Sequence, residues 1–389
     1  MKKIILLITL FFININVYAL DINSKSAILY NQNDQKILFA QNENEKLQIA
    51  SITKIMTAIV SLEQLENLDK KITLTNNDFQ GITEENLVTA GFTINQTVTY
   101  RDLLYGLLIK SGAECAKGLV NNIATEEKFV ELMNNKAKEL DLNQTHFSNP
   151  IGLDDENNYS TAKEVSKIFM YALKNEEFKK IITTDSYTTS DSRLTLNNKI
   201  RKNQTVGEYL LGGKTGTTDG AGLCLASIAS KDNVNFLLIT LGAPYDKKGP
   251  HNFEDAKTIY QYYIDNYGYH NIWEKDDIIL TLKTKLLKKD KINFYPQKIL
   301  KAYLPNNFNK KDLIYKYNGK KTIKFNMKKG QKLGKLNVYY KDEKIASQNI
   351  ILKEKPQLSI LKLLNEYKYY IIFFTASFLT LILVKKKLK

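Results

Sequence analysis

Cysteine, histidine and proline are scarce in this chain of 389 residues, which contains 2, 3 and 6 of them respectively. The two cysteines, Cys115 and Cys224, exclude a disulfide framework; we expect two buried thiols, with a single bridge as the alternative. The histidines, His146, His251 and His270, lack the spacing of metal ligands, so we expect no metal and no cofactor. Sequence repeats and the signatures of nucleic-acid-binding folds are also missing, so no nucleic-acid partner is expected.

Acidic residues are scarce only in the C-terminal part of the chain. Residues 271–360 carry 22 Lys against 8 Asp or Glu, whereas residues 1–270 carry 28 Lys or Arg against 32 acids. The formal net charge of +15 therefore belongs to the C-terminal part. Such a basic region is attracted to anionic lipids or wall polymers, and a solvated lysine-rich surface accounts for it equally well.

Long apolar runs are found only near the two ends of the chain. At the N-terminus, Lys2 and Lys3 precede the apolar run Ile4–Ile13, and Val17-Tyr18-Ala19 is typical of a cleavage site. This pattern predicts a signal peptide over residues 1–19 and export of the remainder. An uncleaved anchor is the alternative, although the apolar run is too short to span a membrane comfortably.

The C-terminal run Tyr369–Val384 has 16 residues without a charge and is followed by Lys385-Lys386-Lys387-Leu388-Lys389. It is slightly short for a hydrocarbon core of about 30 Å, so the flanking lysines would have to snorkel. A helix lying on the membrane surface would need a polar face, which this run lacks. We therefore predict a membrane anchor over residues 358–389, with a cytoplasmic lysine tail and the body on the extracytoplasmic face.

Hydrophobic periodicity between these ends predicts an α/β domain over residues 20–268. Strands are expected over Ala27–Tyr30, Ile37–Ala40, Leu223–Ala229 and Phe236–Leu241. Helices are expected from Ser51 onward and over Tyr100–Ile109, Cys115–Ile123, Glu126–Leu140, Thr161–Leu173 and Phe253–Tyr267, the last ended by Gly268. Short alternating runs and Gly-containing turns then predict a small all-β domain over residues 269–357.

A Ser-x-x-Lys spacing occurs at Ser51-Ile52-Thr53-Lys54, where a helical pattern begins. Residues three apart lie on one helix face, so a neutral Lys54 could take the proton of the Ser51 hydroxyl. The spacing alone is a weak signal, because it recurs at Ser359-Ile360-Leu361-Lys362. Helix capping is the ordinary explanation for a serine at a helix start.

The segment Lys214-Thr215-Gly216 occurs once, 160 residues after Lys54, between glycine-rich flanks that allow close approach of a ligand. On its own it is explained by a glycine-rich turn with a solvated lysine. Combined with Ser51 and Lys54, it supplies a nucleophile, a base and a cationic strand that could hold a carboxylate. This set is the signature of serine enzymes that form an acyl-enzyme with D-Ala-D-Ala or a β-lactam.

With these motifs the chain resembles the low-molecular-mass penicillin-binding proteins, which are D-alanyl-D-alanine carboxypeptidases. The resemblance covers Ala50-Ser51-Ile52-Thr53-Lys54-Ile55-Met56-Thr57, Leu107–Gly112, Lys138–Leu140, Thr145–Phe147, Asn149-Pro150, Gly152–Asp154, Tyr159-Ser160, Gly213–Thr218 and Lys329–Gly334. It implies a central antiparallel sheet surrounded by helices, an all-β domain and a membrane anchor, in that order.

The resemblance also implies a role for each matching residue. Ser51 attacks the carbonyl between the two D-Ala residues, Lys54 is the general base, and Ser111 relays a proton to the leaving D-Ala. The terminal carboxylate is held by Lys214, Thr215 and Thr217. Backbone N–H groups of Ser51 and Thr217 form the oxyanion hole. The implied partners are peptidoglycan pentapeptides ending in D-Ala-D-Ala, and β-lactams as inhibitors.

One position departs from the family pattern, because Ala113 stands where the family usually has an Asn that follows the motif serine by two residues. The side chain of alanine has no amide to donate to the substrate or to Lys54, so either Glu114 or another neighbour compensates, or turnover is altered. Three other functions stay open. The segment Glu139-Leu140-Asp141-Leu142-Asn143 suggests a class A β-lactamase. Ala113 suggests a wall-binding protein with little turnover. An endopeptidase that cleaves cross-links is also open, because nothing in the sequence separates it from a carboxypeptidase.

Overall fold

The computed structural model describes residues 20–201, 203 and 205–387, so the predicted signal peptide and the last two lysine-tail residues lie outside the described residues. Two compact units divide between Asp265 and Asn266. Each unit has its own hydrophobic core.

The first unit contains both helices and strands. Its strands are Ser26–Asn31 (β1), Lys36–Gln41 (β2), Leu47–Gln48 (β3), Lys71–Thr73 (β4), Thr97–Thr99 (β5), Tyr159–Ser160 (β6), Ser186–Thr188 (β7), Thr195–Asn197 (β8), Leu210–Thr218 (β9), Gly222–Lys231 (β10) and Val234–Ala243 (β11). Its α-helices are Lys54–Gln64 (α1), Tyr100–Tyr105 (α2), Ala113–Ile123 (α3), Glu126–Glu139 (α4), Ala162–Ala172 (α5), Glu176–Thr183 (α6) and His251–Asn266 (α7).

An antiparallel sheet with the strand order β2-β1-β11-β10-β9 forms the centre of this unit. Strands β10 and β11 are apolar and almost wholly buried, as expected for inner strands covered by helices. Strand β9 lies at an edge of the sheet and pairs only on one side, with Lys214 opposite Ala226. The predicted α/β architecture with a central antiparallel sheet is therefore confirmed.

Several helix ends differ from the prediction, and two of the differences change the course of the chain. The helix expected over residues 100–109 changes after Tyr105 into a π-helical turn, Gly106–Lys110, which ends at Ser111 in a left-handed conformation with φ 63°. Such wide turns interrupt α-helices where the backbone must be redirected, and here the redirected residue is a predicted site residue. The helix α7 ends at Asn266, and Gly268 instead pairs with Leu304 in a strand of the second unit.

Cys115 and Cys224 are free thiols, and both are completely buried in the first unit, as predicted. Burial raises the pKa of Cys224 to about 12 and that of Cys115 well above its usual value. A thiolate in an apolar interior is poorly solvated, so neither sulfur has the properties of a reactive nucleophile.

The second unit is mostly β-structure and ends in one long helix. Its strands are Tyr267–Trp273 (β12), Leu280–Lys285 (β13), Lys291–Phe294 (β14), Leu300–Pro305 (β15), Leu313–Gly319 (β16), Thr322–Lys324 (β17), Lys332–Tyr340 (β18) and Glu343–Ile351 (β19), and its helix is Ile360–Lys387 (α8). The strands form small sheets, ordered β12-β15, β14-β13-β17 and β16-β18-β19. By length and composition, α8 is apolar enough to cross a membrane. The predicted all-β domain and C-terminal apolar helix are thus both found.

Candidate active site

Ser51 lies in a tight 3-10 turn, Ala50–Thr53, that leads directly into helix α1. Two glycines allow the surrounding backbone to approach this turn closely. A methyl group at Gly152, whose φ is 86°, would overlap the carbonyl oxygen of Ala50, and one at Gly216 would lie 3.1 Å from the Ser51 nitrogen. Strand β9 and the loop at Gly152 therefore confine the position of Ser51, and only glycine fits at either contact.

The first predicted pair, Ser51 and Lys54, is in hydrogen-bond contact, because Nζ of Lys54 lies 2.9 Å from Oγ of Ser51. Neither the 3-10 turn nor α1 has a side-chain N-cap, so the capping explanation for Ser51 does not hold. In the other Ser-x-x-Lys, by contrast, Ser359 Oγ accepts the backbone N–H of Lys362, and Nζ of Lys362 is paired with Asp290. The same spacing thus has different partners at the two places.

The second predicted pair is Ser111 and Lys214. Nζ of Lys214 donates to Oγ of Ser111 at 2.9 Å and to the carbonyl oxygen of Thr215 at 2.7 Å. The left-handed turn after the π-helical segment directs Ser111 towards strand β9. Lys214 is 1% exposed although it has no carboxylate partner among the described residues, which is unusual for a buried ammonium group.

Burial shifts the pKa values of both lysines. It lowers the pKa of Lys54 to about 7, against the opposing influence of Cys115 and Glu114. Burial also lowers the pKa of Lys214 well below its usual value, and the positive charge of Lys54 lowers it further. A lysine that is partly neutral near pH 7 can act as a proton acceptor.

The remaining predicted residues, Thr215 and Thr217, lie on strand β9 and flank Gly216. Thr215 is half-buried, whereas Thr217 is exposed. Because β9 is the last strand of the sheet that the described residues form, the side of its backbone away from β10 is available to pair with an extended peptide. Gly216 brings this strand against the backbone of Ser51, so a peptide alongside β9 would pass the Ser51 hydroxyl.

A loop that was matched only by resemblance completes the surroundings of Lys54. The carbonyl oxygen of Ile151 accepts a hydrogen bond from Nζ of Lys54 at 2.6 Å. The side-chain oxygen of Asn149 accepts the backbone N–H groups of Ile151, Gly152 and Leu153, which fixes that carbonyl in place. Residue identity cannot predict a backbone acceptor, although the Asn-Pro before a glycine indicates a structured turn.

The environment of Ala113 explains what replaces the family asparagine. Ala113 is buried, and its N–H donates to the carbonyl oxygen of Val88. Glu114 does not hydrogen-bond to Lys54; its Oε1 accepts the N–H groups of Ala90, Gly91 and Phe92, at 2.6, 3.0 and 3.4 Å. The acceptor at Lys54 is instead the Ile151 carbonyl. Glu114 therefore holds the backbone of residues 90–92 in place and acts on Lys54 through its negative charge.

We expect Glu114→Gln to move the acid limb of the acylation rate to lower pH by a fraction of a pH unit. The negative charge of Glu114 raises the pKa of Lys54, so its removal leaves Lys54 neutral at lower pH. Glu164 is a matched control, because it is buried in α5 and also accepts backbone N–H groups. Glu164→Gln should reduce stability without moving the limb. An unmoved limb in Glu114→Gln would contradict the electrostatic role.

Glu139, which suggested a β-lactamase, lies at the exposed end of α4, where it pairs with Lys136. Among the described residues, no group of His, Cys, Asp and Glu could hold a metal ion. The site brings together hydroxyl and amine groups, and a hydroxyl in contact with a partly neutral amine, as Ser51 and Lys54 are, is the pair that nucleophilic catalysis requires.

Comparison with known proteins agrees with this geometry. Residues 14–245 match the family described as D-alanyl-D-alanine carboxypeptidase, peptidase S11. Residues 267–357 match the C-terminal domain of penicillin-binding protein 5.

Individual relatives are similar over long stretches. The chain is 29% identical over 341 residues to a D-alanyl-D-alanine carboxypeptidase of Bacillus subtilis, covering 85% of each protein. It is 31% identical over 209 residues to a D-alanyl-D-alanine carboxypeptidase of Streptomyces sp. K15, covering 50% of this chain and 72% of that one. A solved structure of penicillin-binding protein 5 from Haemophilus influenzae has the same fold, with a TM-score of 0.63 at 22% identity, covering 87% and 98% of the two chains.

Proposed function

The chain belongs to the D-alanyl-D-alanine carboxypeptidase family of peptidases, and from this premise we propose that it cleaves the terminal D-alanine from peptidoglycan pentapeptides through an acyl-enzyme on Ser51. The enzyme is a serine-type carboxypeptidase of the penicillin-binding kind. The observation that carries the mechanism is the 2.9 Å contact between Oγ of Ser51 and Nζ of the buried Lys54.

Acylation begins when neutral Lys54 takes the hydroxyl proton of Ser51. The Ser51 oxygen then attacks the carbonyl carbon between the two D-Ala residues, and the developing oxyanion is held by the backbone N–H groups of Ser51 and Thr217. When the tetrahedral intermediate collapses, the C–N bond breaks. The departing amine receives the proton that Lys54 took from Ser51, relayed through Ser111, and Lys54 is neutral again; Ser111 is hydrogen-bonded to Lys214.

Binding of the substrate uses its terminal carboxylate. We assign this group to Lys214, Thr215 and Thr217, because β9 presents a buried lysine that contacts Ser111 and has no carboxylate partner among the described residues. A desolvated ammonium gains more from an anion than an exposed one does. Water then attacks the ester carbonyl, restores the Ser51 hydroxyl and releases the shortened peptide. Removing the last D-Ala would limit later cross-linking of the wall.

We also place the enzyme on the extracytoplasmic face of the cell membrane. Export is suggested by the N-terminal sequence, and tethering by helix α8, whose uncharged run ends in lysines. Positive residues favour the cytoplasmic side of a membrane helix, so the tail would lie inside and both units outside.

We expect D-Ala release from an acyl-D-Ala-D-Ala peptide to rise with pH through about 7 and to fall away at lower pH, because Lys54 accepts a proton only when neutral. The full chain in neutral detergent, assayed for D-Ala between acid and mildly alkaline pH, tests this. The acid limb should appear in kcat/KM, which reports the free enzyme. No D-Ala release by a folded protein would overturn the carboxypeptidase assignment for this substrate.

The same preparation separates the other functions. Rapid penicillin turnover would indicate a β-lactamase, which the exposed position of Glu139 argues against. A long-lived penicilloyl adduct with no release of D-Ala would indicate a wall-binding protein. Cleavage of cross-linked peptide dimers in preference to pentapeptides would indicate an endopeptidase.

A further inference from the structure

A basic groove is present in the second unit, and none of its lining residues belongs to the candidate active site. Its volume is about 600 Å³, and it is formed by the chain around strand β14 and by the segment between β19 and α8. Buried side chains of Leu287, Phe294, Leu352 and Pro356 contribute the apolar part of its lining. We refer to this feature as the β14 groove.

Lysines dominate the polar part of the β14 groove. Five of them line it, against the single carboxylate of Glu354: Lys288, Lys289, Lys291, Lys353 and Lys355. All five are exposed, and none forms an ion pair within the described part of the chain. The adjacent carboxylates of Asp290 and Glu366 are already paired, with Lys362 and Lys285 respectively. The groove therefore keeps an uncompensated positive charge above an apolar floor.

The β14 groove lies next to the beginning of helix α8. Leu287 forms a β-bridge with Leu358, and Lys288 N–H donates to the carbonyl oxygen of Gln357. The first turn of the helix is held to the same segment, because Nζ of Lys362 donates to the carbonyl oxygen of Leu287 at 2.9 Å. The groove and the start of α8 are thus parts of one hydrogen-bonded arrangement.

The length of α8 indicates which membrane layer would face this groove. The uncharged run that would occupy the hydrocarbon core begins at Tyr369, because Glu366 and Lys368 carry charges and Glu366 is paired with Lys285. The part of α8 before this run, from Ile360 to Lys368, rises by roughly 14 Å and would cross the polar headgroup layer. A groove formed by the residues just before Ile360 would therefore face the lipid headgroups.

We propose that the β14 groove binds the headgroup of an anionic phospholipid from the outer leaflet of the membrane that α8 enters. The lysine ammonium groups would contact the phosphate oxygens, and the apolar floor would cover the glycerol and the first acyl carbons. This proposal rests on the proposed anchoring of the enzyme by α8. Its consequence is a fixed orientation of the second unit on the membrane, in addition to the tether.

The test uses the full chain in neutral maltoside detergent and measures binding of dioctanoyl phosphatidylglycerol by titration calorimetry. We expect saturable binding that weakens with salt, and none of dioctanoyl phosphatidylcholine. A variant with four substitutions in the groove should lower the affinity for the anionic lipid about tenfold or more. These substitutions are Lys288→Gln, Lys289→Gln, Lys353→Gln and Lys355→Gln. A matched control variant loses the same charge at four exposed lysines outside the groove, and its affinity for the lipid should stay within about twofold of that of the unmodified protein. Its substitutions are Lys310→Gln, Lys311→Gln, Lys320→Gln and Lys321→Gln.

Three results would overturn the proposal: equal binding of the two lipids, equal loss in both variants, or glycerol phosphate binding as tightly as the lipid. The last result would indicate a free phosphate as the ligand. Anchoring is measured separately, by flotation of the full chain with neutral phosphatidylcholine vesicles. Failure to float would contradict anchoring by α8, whereas calorimetry reports on the groove alone.

Discussion

Ser51→Ala should abolish D-Ala release and covalent labelling by penicillin, while substrate binding persists. In the proposed mechanism the Ser51 oxygen becomes the ester oxygen, and no other hydroxyl contacts Lys54 Nζ among the described residues. Removing a nucleophile that acts together with its base typically lowers kcat by about 10⁴–10⁶. The variant should fold, because Ser51 makes no capping hydrogen bond and alanine is smaller. Release of D-Ala and gel fluorescence with a labelled penicillin measure the effect.

The chain provides its own control for this substitution. Ser359→Ala alters the other Ser-x-x-Lys and removes only the weak capping contact to the Lys362 N–H at 3.4 Å. It should leave both activity and labelling unchanged. Peptide mass spectrometry of the unmodified protein should place the penicilloyl group on Ser51. An adduct on any other residue, or activity retained in Ser51→Ala, would refute the assignment of the nucleophile.

Lys214→Gln should lower kcat/KM for D-Ala-D-Ala peptides by about 10²–10³, because it leaves the substrate carboxylate without its buried cation. The loss should depend on that carboxylate. The kcat/KM for a substrate that ends in a carboxamide should change much less. The unmodified enzyme should therefore strongly prefer the carboxylate substrate over the carboxamide, and the variant should show almost no preference. Parallel kinetics on both substrates give the result as a coupling between Lys214 and the carboxylate.

The pH profile of the same variant gives a second expected result. The charge of Lys54 lowers the pKa of Lys214, whereas burial lowers the pKa of Lys54 itself, so Lys214→Gln should leave the acid limb where Lys54 sets it. A merely structural role for Lys214 would lower the rate on both substrates equally, and a displaced limb would show that the variant disturbs the surroundings of Lys54. Lys231→Gln, at an exposed position on the neighbouring strand β10, should change neither quantity.

The sequence predicted the elements of the first unit better than their arrangement. Amphipathic periodicity and buried apolar runs are local properties, and the expected ranges for β1, β10 and α3 are close to those found. The pairing of β1 with β11 joins residues more than 200 positions apart, as Ser26 opposite Leu241, and no local pattern specifies it. Pairing over such distances is decided by packing of the whole core.

The candidate site could be predicted as a set of residues but not as a set of contacts. The contact between Ser51 and Lys54 follows from helical spacing. The contact between Ser111 and Lys214 instead requires the π-helical turn. That turn lies in a segment whose periodicity predicted a regular α-helix. The Ile151 carbonyl was missed because any residue type supplies the same acceptor. The function of Glu114 became clear only from the backbone amides that its carboxylate accepts.

The two buried thiols have a consequence for the enzyme outside the cytoplasm, where we propose that it is located. Because Cys115 and Cys224 are unpaired, the native chain has no disulfide to acquire after the proposed export, and its folding needs no oxidant or thiol-exchange catalyst. Both sulfurs are fully shielded by the core that surrounds the site. Oxidants in that compartment can therefore reach them only while the first unit is open. The chemical lifetime of the enzyme is then set by how often this core opens, which makes resistance to oxidation a kinetic property of the fold.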